Sequence, residues 1–125
     1  MGTRSITVVK DKQNNKIIEM YKQYDGNPES LGAELQKFIT SKTMVNGIGS
    51  DEAVFNGINC FAAQLVEHFK NGPGGIYLHA PSTDYKNKKE YYNIYSAEYY
   101  YEISTDLSIK CWDTYHNVEI TLKEL

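Results

Sequence analysis

Arginine, cysteine and long apolar runs are all scarce in this chain, and each scarcity closes off a class of protein. Arg4 is the single arginine, and 13 lysines and arginines against 16 acidic residues leave a net charge of −3. A broad basic footprint for duplex nucleic acid is therefore not expected. Only Cys60 and Cys111 carry thiols, with no CxxC pair and no Cys/His ligand spacing. They read as reduced thiols, and neither a disulfide framework, a structural metal nor a cofactor is implied. No apolar run approaches the roughly 18 residues of a membrane span. The opening "MGTRSITVVKD" has neither the apolar stretch nor the cleavage site of a secretory signal. The expectation is a cytoplasmic protein without a membrane partner.

What is present suits one domain over 1–125, since 125 residues with 41% hydrophobic and 23% charged content can bury a single core. "SITVVKD" and "KIIEMYKQY" are β-branched and aromatic and flank the turn-forming "KQNN", which predicts an antiparallel hairpin. The pattern then turns helical. Asn27 can cap, Pro28 fits the first helical position, and Leu31, Leu35, Phe38 and Ile39 share a face, so a helix is expected from Pro28 to Thr40. "SKTMVNGIGSDEAVFNG" has little periodicity and reads as a connecting loop. A second helix follows, with Ile58, Phe61, Ala62, Leu65 and Phe69 on one stripe and Asn71-Gly72-Pro73 as its stop. "GGIYLHAP", "YYYEIST", "SIKCWD" and "VEITLKEL" read as strands. The expected fold is α+β: a mostly antiparallel sheet, made of the N-terminal hairpin and three or four C-terminal strands, with two amphipathic helices on one face.

The junction "FNGINC" at residues 55–60 carries the first candidate chemistry. A helix N-terminus has unsatisfied N–H groups, and glycine there admits a ligand close to the main chain, so a phosphate could sit on Gly57 to Cys60. The plainer alternative is an ordinary cap. Cys60 has a second reading, because a cysteine opening a helix and a histidine on a later strand, here His79, is the layout of papain-like hydrolases. Free cysteines are also among the most buried residues, which favours a packing role. His68 and His116 read as surface residues, and Asp51 and Glu52 as a solvated acidic pair. No acid/base dyad is legible.

Tyrosine is abundant, and seven of the eleven fall between Tyr85 and Tyr101. Read as an aromatic strand, that segment suits either a subunit interface or stacking on a nucleobase, and a homo-oligomer is the favoured expectation. For a nucleotide's phosphates the sequence offers Arg4 at the start of the first strand, Asp25-Gly26 after the hairpin, Asn56, Gly57 and Asn59 at the second helix, and Tyr77. These seven are the candidate ligand-binding residues, expected to border one mouth.

"GTRSITVV", "YKQYDGNP", "MVNGIG" and "FNGINCFAAQLVEHFKNGPGGIYL", spread over roughly the first two thirds of the chain, resemble recurring blocks of the Thoeris anti-defence family of phage and prophage proteins. The resemblance implies an oligomeric sponge in an infected bacterium. It would bind a glycocyclic ADP-ribose signal made by TIR enzymes without cleaving it, and so block defence. Members of that family hold phosphates with arginines, so this chain departs from the pattern. Lysines such as Lys22 and the glycine-rich turns would have to supply what the missing arginines do not.

Overall fold

The computed structural model describes residues 2–45, 54–81 and 83–122. The expected "NGIG" turn and the acidic pair Asp51 and Glu52 lie outside the described residues.

Strands β1 (Ser5–Lys10) and β2 (Lys16–Lys22) form the expected antiparallel hairpin. Its turn is held by Asp11, whose carboxylate accepts the N–H groups of Gln13 and Asn15 at 2.9 Å each. Asn14 adopts the left-handed conformation there, φ 65°, which asparagine tolerates. A π-helical turn, Pro28–Gly32, leads directly into α1 (Ala33–Thr40), so the helix expected from Pro28 to Thr40 is present with a wider first turn. The connecting segment holds two short strands that its composition did not suggest, β3 (Thr43–Val45) and β4 (Val54–Asn56), paired in parallel. Helix α2 (Gly57–Phe69) and β5 (Ile76–His79) follow as expected.

Between β5 and β6 (Tyr99–Ile103) the chain forms a third helix, α3 (Lys89–Tyr95), where an aromatic strand segment was expected. The cause is local. The Asn87 carboxamide oxygen accepts the Lys89 N–H at 3.1 Å, and Ser96 ends the helix at φ 58°. Tyr91 and Tyr95 stand four residues apart on the same face, where both can meet the sheet. Strands β7 (Ile109–Asp113) and β8 (Val118–Ile120) complete a six-stranded sheet in the order β5-β2-β1-β6-β7-β8. Every neighbouring pair is antiparallel except β1 with β6.

The sheet is covered on both faces. On one, Val9, Met20, Tyr101, Ile103 and Cys111 pack with Leu35 and Phe38 of α1 and Phe61, Ala62 and Leu65 of α2. On the other, Ile6, Val8 and Tyr100 pack with Tyr91 of α3 and with Ala97. This explains why all six residues of β1 are buried, without the polar alternation of a one-sided strand. It also corrects the reading of the tyrosines: Tyr91, Tyr100 and Tyr101 are fully buried core residues, not a surface patch. Burial is also what holds the hydroxyls of Tyr100 and Tyr101 in their neutral form, and it pushes the Cys111 thiol up to about 12.

Candidate functional site

The seven candidate residues fall into two groups at opposite ends of the sheet. Ser5 of β1 pairs with Lys22 of β2, so Arg4, Asp25 and Gly26 lie at one end. Tyr77 is near them, paired with Tyr21 on β2. Asn56, Gly57 and Asn59 border a groove with Asp11, Lys12 and Gln13 of the hairpin turn, beyond the far end of β1. The six residues of β1 separate the groups by roughly 20 Å. The expected single mouth is not assembled within one chain.

Within the first group the residues have different fates. Gly26 is buried and its main chain is already used: its N–H donates to the Thr3 carbonyl at 2.9 Å, and its carbonyl accepts the Tyr101 hydroxyl at 2.7 Å. A Cβ at that position would lie 2.6 Å from Ser5 Cβ, so glycine is required by packing, and no amide is presented to a ligand. Asp25 is exposed at φ 56° and lines a cavity of about 420 Å³ whose charges are mixed, with Lys22 and Lys37 facing Glu29 and Glu34. Arg4 is exposed, and among the described residues no acidic side chain pairs with its guanidinium. Tyr77 is 46% exposed on the outermost strand, with the Lys70 ammonium 5.5 Å from its ring centre.

The second group forms the more coherent site. The groove has a volume of about 600 Å³, within the range of small-molecule pockets. Its floor is the first turn of α2. Gly57 stands at φ 83°, a left-handed conformation that a side chain would strain, and the space where its Cβ would project is open. Among the described residues no side-chain cap hydrogen bond closes the helix start, and a 13-residue helix presents about half a positive charge there. Asn56, Ile58 and Asn59 project around the turn. Met44, Val45 and Thr105 complete the wall, Met44 and Val45 from the β3–β4 pair and Thr105 from the turn after β6. Among the described residues two acidic or basic side chains line the groove: Asp11 is turned onto its own backbone, while Lys12 is exposed. The arrangement favours an anion with a polar, partly apolar body. Sequence reading named Asn56, Gly57 and Asn59 but not the hairpin turn opposite them. The turn residues of Lys12 to Asn15 were visible as a turn, and only the tertiary fold brings them to the helix.

Cys60 and His79 do not meet. Cys60 sits on α2, over the face built on Met20 and Ile103, and its Sγ is 3.2 Å from Gln64 Nε2. His79 pairs in register with Glu19 and stacks between Tyr21 and Tyr95 of α3, at 5.2 and 4.9 Å between ring centres, on the other face. The sheet stands between thiol and imidazole, so the cysteine–histidine layout is not formed.

A polar network that sequence reading missed lies under α3. Lys10 Nζ contacts Asp84 at 2.6 Å and Glu102 at 3.0 Å, and Lys16 Nζ contacts Glu19 at 3.2 Å and donates to the Tyr91 hydroxyl at 2.8 Å. Lys88 Nζ is 4.0 Å from Asp84 and lies over the rings of Tyr100 and Trp112 at 4.7 and 4.9 Å. Burial alone would lower Lys10, but its two carboxylate partners outweigh it and hold the ammonium above the ordinary lysine value. Asp84 is likewise pushed up by burial and brought below the ordinary carboxylate value by Lys10. For Lys88 burial prevails, and its pKa falls. These charges neutralise one another and pin the chain around α3 to the sheet. Among the described residues no group of three or more His, Cys, Asp or Glu side chains is arranged to hold a metal, and no helix is long and apolar enough to cross a membrane.

The fold is α+β, with a sheet covered on both faces and a groove at the start of α2. Compared with protein-family models, curated proteins and solved structures, the chain matches none.

Proposed function

We propose that this protein binds and sequesters a small anionic signalling nucleotide without transforming it, and that the groove at the start of α2 receives the phosphates. The observation that carries the reading is the convergence on one 600 Å³ groove of the open Gly57 backbone, the first turn of α2 and the exposed Lys12. A helix N-terminus and a lysine together suit a diphosphate, with the exposed Asn59 beside them for the ribose or base edges. The separation of Cys60 from His79 weighs against the hydrolase alternative. In line with the sequence resemblance, the ligand is a cyclic ADP-ribose-type product of TIR enzymes, and the consequence is inhibition of Thoeris immunity in an infected bacterial cell.

A homo-oligomer belongs to the same proposal, on different grounds from the tyrosine argument. Strand β5 contains no lysine or proline; Lys70 Nζ donates to the Ile76 carbonyl at 2.8 Å at its start, and beyond it Tyr77 and Leu78 expose 46% and 56% of their surface on the two faces. Such an edge is suited to pairing with a second copy. The test of function is calorimetric titration against cyclic ADP-ribose isomers, linear ADP-ribose and cyclic dinucleotides, followed by heating of the complex and chromatography of the released ligand. One isomer should bind stoichiometrically and return intact; release of a converted product would show an enzyme, and no binding across the panel would remove the proposal.

A further inference from the structure

At the end of the sheet away from the groove lies a cavity of about 330 Å³ lined by Tyr92, Glu98, Tyr99, Asp113, Tyr115 and His116. Its wall is unlike that of the groove: among the described residues it has three phenol rings, two carboxylates, the His116 imidazole and no lysine or arginine. Tyr92 of α3 and Tyr115 of the β7–β8 turn meet edge to face, 5.1 Å between centres and 75° apart. Tyr99 and Asp113 are register partners on β6 and β7, which fixes their separation. The turn is tied down from both sides. Thr114 N–H donates to the Glu98 carbonyl at 3.0 Å, and the Lys88 N–H donates to Asn117 Oδ1 at 2.8 Å. The rings are thus held by strand pairing and by main-chain bonds, and not by packing on a ligand.

Ring faces carry negative potential and attract cations, and carboxylates beside them strengthen the attraction. The surroundings already act this way: Lys89 Nζ lies 4.9 Å from the centre of the Tyr115 ring, and Lys89 is not among the lining residues. Of the two carboxylates, Asp113 is engaged by the His116 ring at 2.8 Å and by the His116 N–H at 3.2 Å. Glu98 is exposed, and among the described residues no hydrogen bond or ion pair engages its carboxylate. The volume is too large for a bare metal ion, and phenol rings are poor metal ligands. It suits a small organic cation.

We propose that this cavity is a binding site for a small organic ammonium ion, held by the faces of Tyr92, Tyr99 and Tyr115 and by the carboxylate of Glu98. It is independent of the nucleotide groove and stands whether or not that reading holds. The rings favour a methylated ammonium, which needs no hydrogen bonds; a primary alkylammonium would draw more on Glu98.

The test is an NMR titration of the whole protein with choline, with propylamine hydrochloride, and with 3,3-dimethyl-1-butanol, the uncharged carbon isostere of choline. Choline should give saturable shifts confined to Tyr92, Tyr99, Tyr115 and the residues of the β7–β8 turn, and the neutral isostere should not. Glu98→Gln, at an exposed position, should weaken choline at least threefold and propylamine more, without changing the thermal midpoint. Tyr115→Leu should weaken choline at least fivefold. Equal shifts with choline and its neutral isostere would overturn the proposal, as would unsaturable shifts or affinity unchanged in both variants.

Discussion

Arg4 and Lys12 are the two exposed cations that bear on where a phosphate is held, and the six residues of β1 stand between them. Because Lys12 lines the groove and Arg4 does not, Arg4→Ala should leave nucleotide affinity unchanged in calorimetry. A tenfold to hundredfold loss, the equivalent of about 1.5 to 3 kcal/mol for a charge-assisted bond, would move the phosphates to the other end of the sheet. Cys60→Ala should bind the ligand as well as the parent, since the His79 imidazole lies on the opposite face of the sheet from the thiol. Rapid stoichiometric inactivation by a thiol reagent would contradict that. Gly26 shows how a residue can be named for the wrong reason. Glycine after a strand suggested an amide for a ligand, whereas both of its main-chain groups are bonded internally and its missing side chain makes room for Ser5.

Helix α3 depends on the charges beneath it, and this gives it a pH dependence with a definite sign. The Asp84 carboxyl has a folded pKa below its ordinary value of 3.8, so its contribution to stability is complete above that value and is lost as pH falls through the folded pKa. Lys10 is raised above 10.5, so its contribution is present below that value and is lost only as pH rises through its folded pKa. Thermal unfolding followed from pH 7 down to pH 2 should therefore weaken most steeply below about 4. Asp84→Asn should lower the midpoint near neutrality and flatten that acid limb; an unchanged limb would exclude Asp84 from the network. The same helix marks the limit of what the chain makes legible locally. Helices α1 and α2 carry apolar stripes at helical spacing with proline or glycine signals at their ends, and the β1–β2 hairpin has runs of β-branched residues on either side of a turn. In "KKEYYNIY" the tyrosines and isoleucine favour a strand by intrinsic preference. Burial of Tyr91 against Tyr100, at 4.4 Å between ring centres, together with the Asn87 and Ser96 ends, decides for helix. The parallel pairing of β1 with β6 is equally a tertiary outcome, since nearly ninety residues separate the two strands.

For the whole molecule, β5 is one of the two edges of the sheet, and Tyr77 and Leu78 project there from opposite faces. Light scattering at micromolar concentration should give a dimer or larger assembly, and Leu78→Lys should shift it toward monomer by placing a charge on the joining edge. A parent protein that is monomeric at that concentration would contradict the assembly. The groove lies at the other end of the fold's logic: half of it, the start of α2, is visible in a run of asparagine and glycine, and the other half is a hairpin turn more than forty residues earlier. The account is tested most directly by calorimetric titration of Lys12→Glu with the cyclic ADP-ribose isomer that the parent binds. Lys12 is an exposed turn residue on the groove wall, so reversing its charge should spare the fold while setting a carboxylate against the phosphates. The predicted result is an affinity weaker by roughly tenfold to a hundredfold at an unchanged thermal midpoint; binding as tight as the parent's would contradict the assignment of the groove.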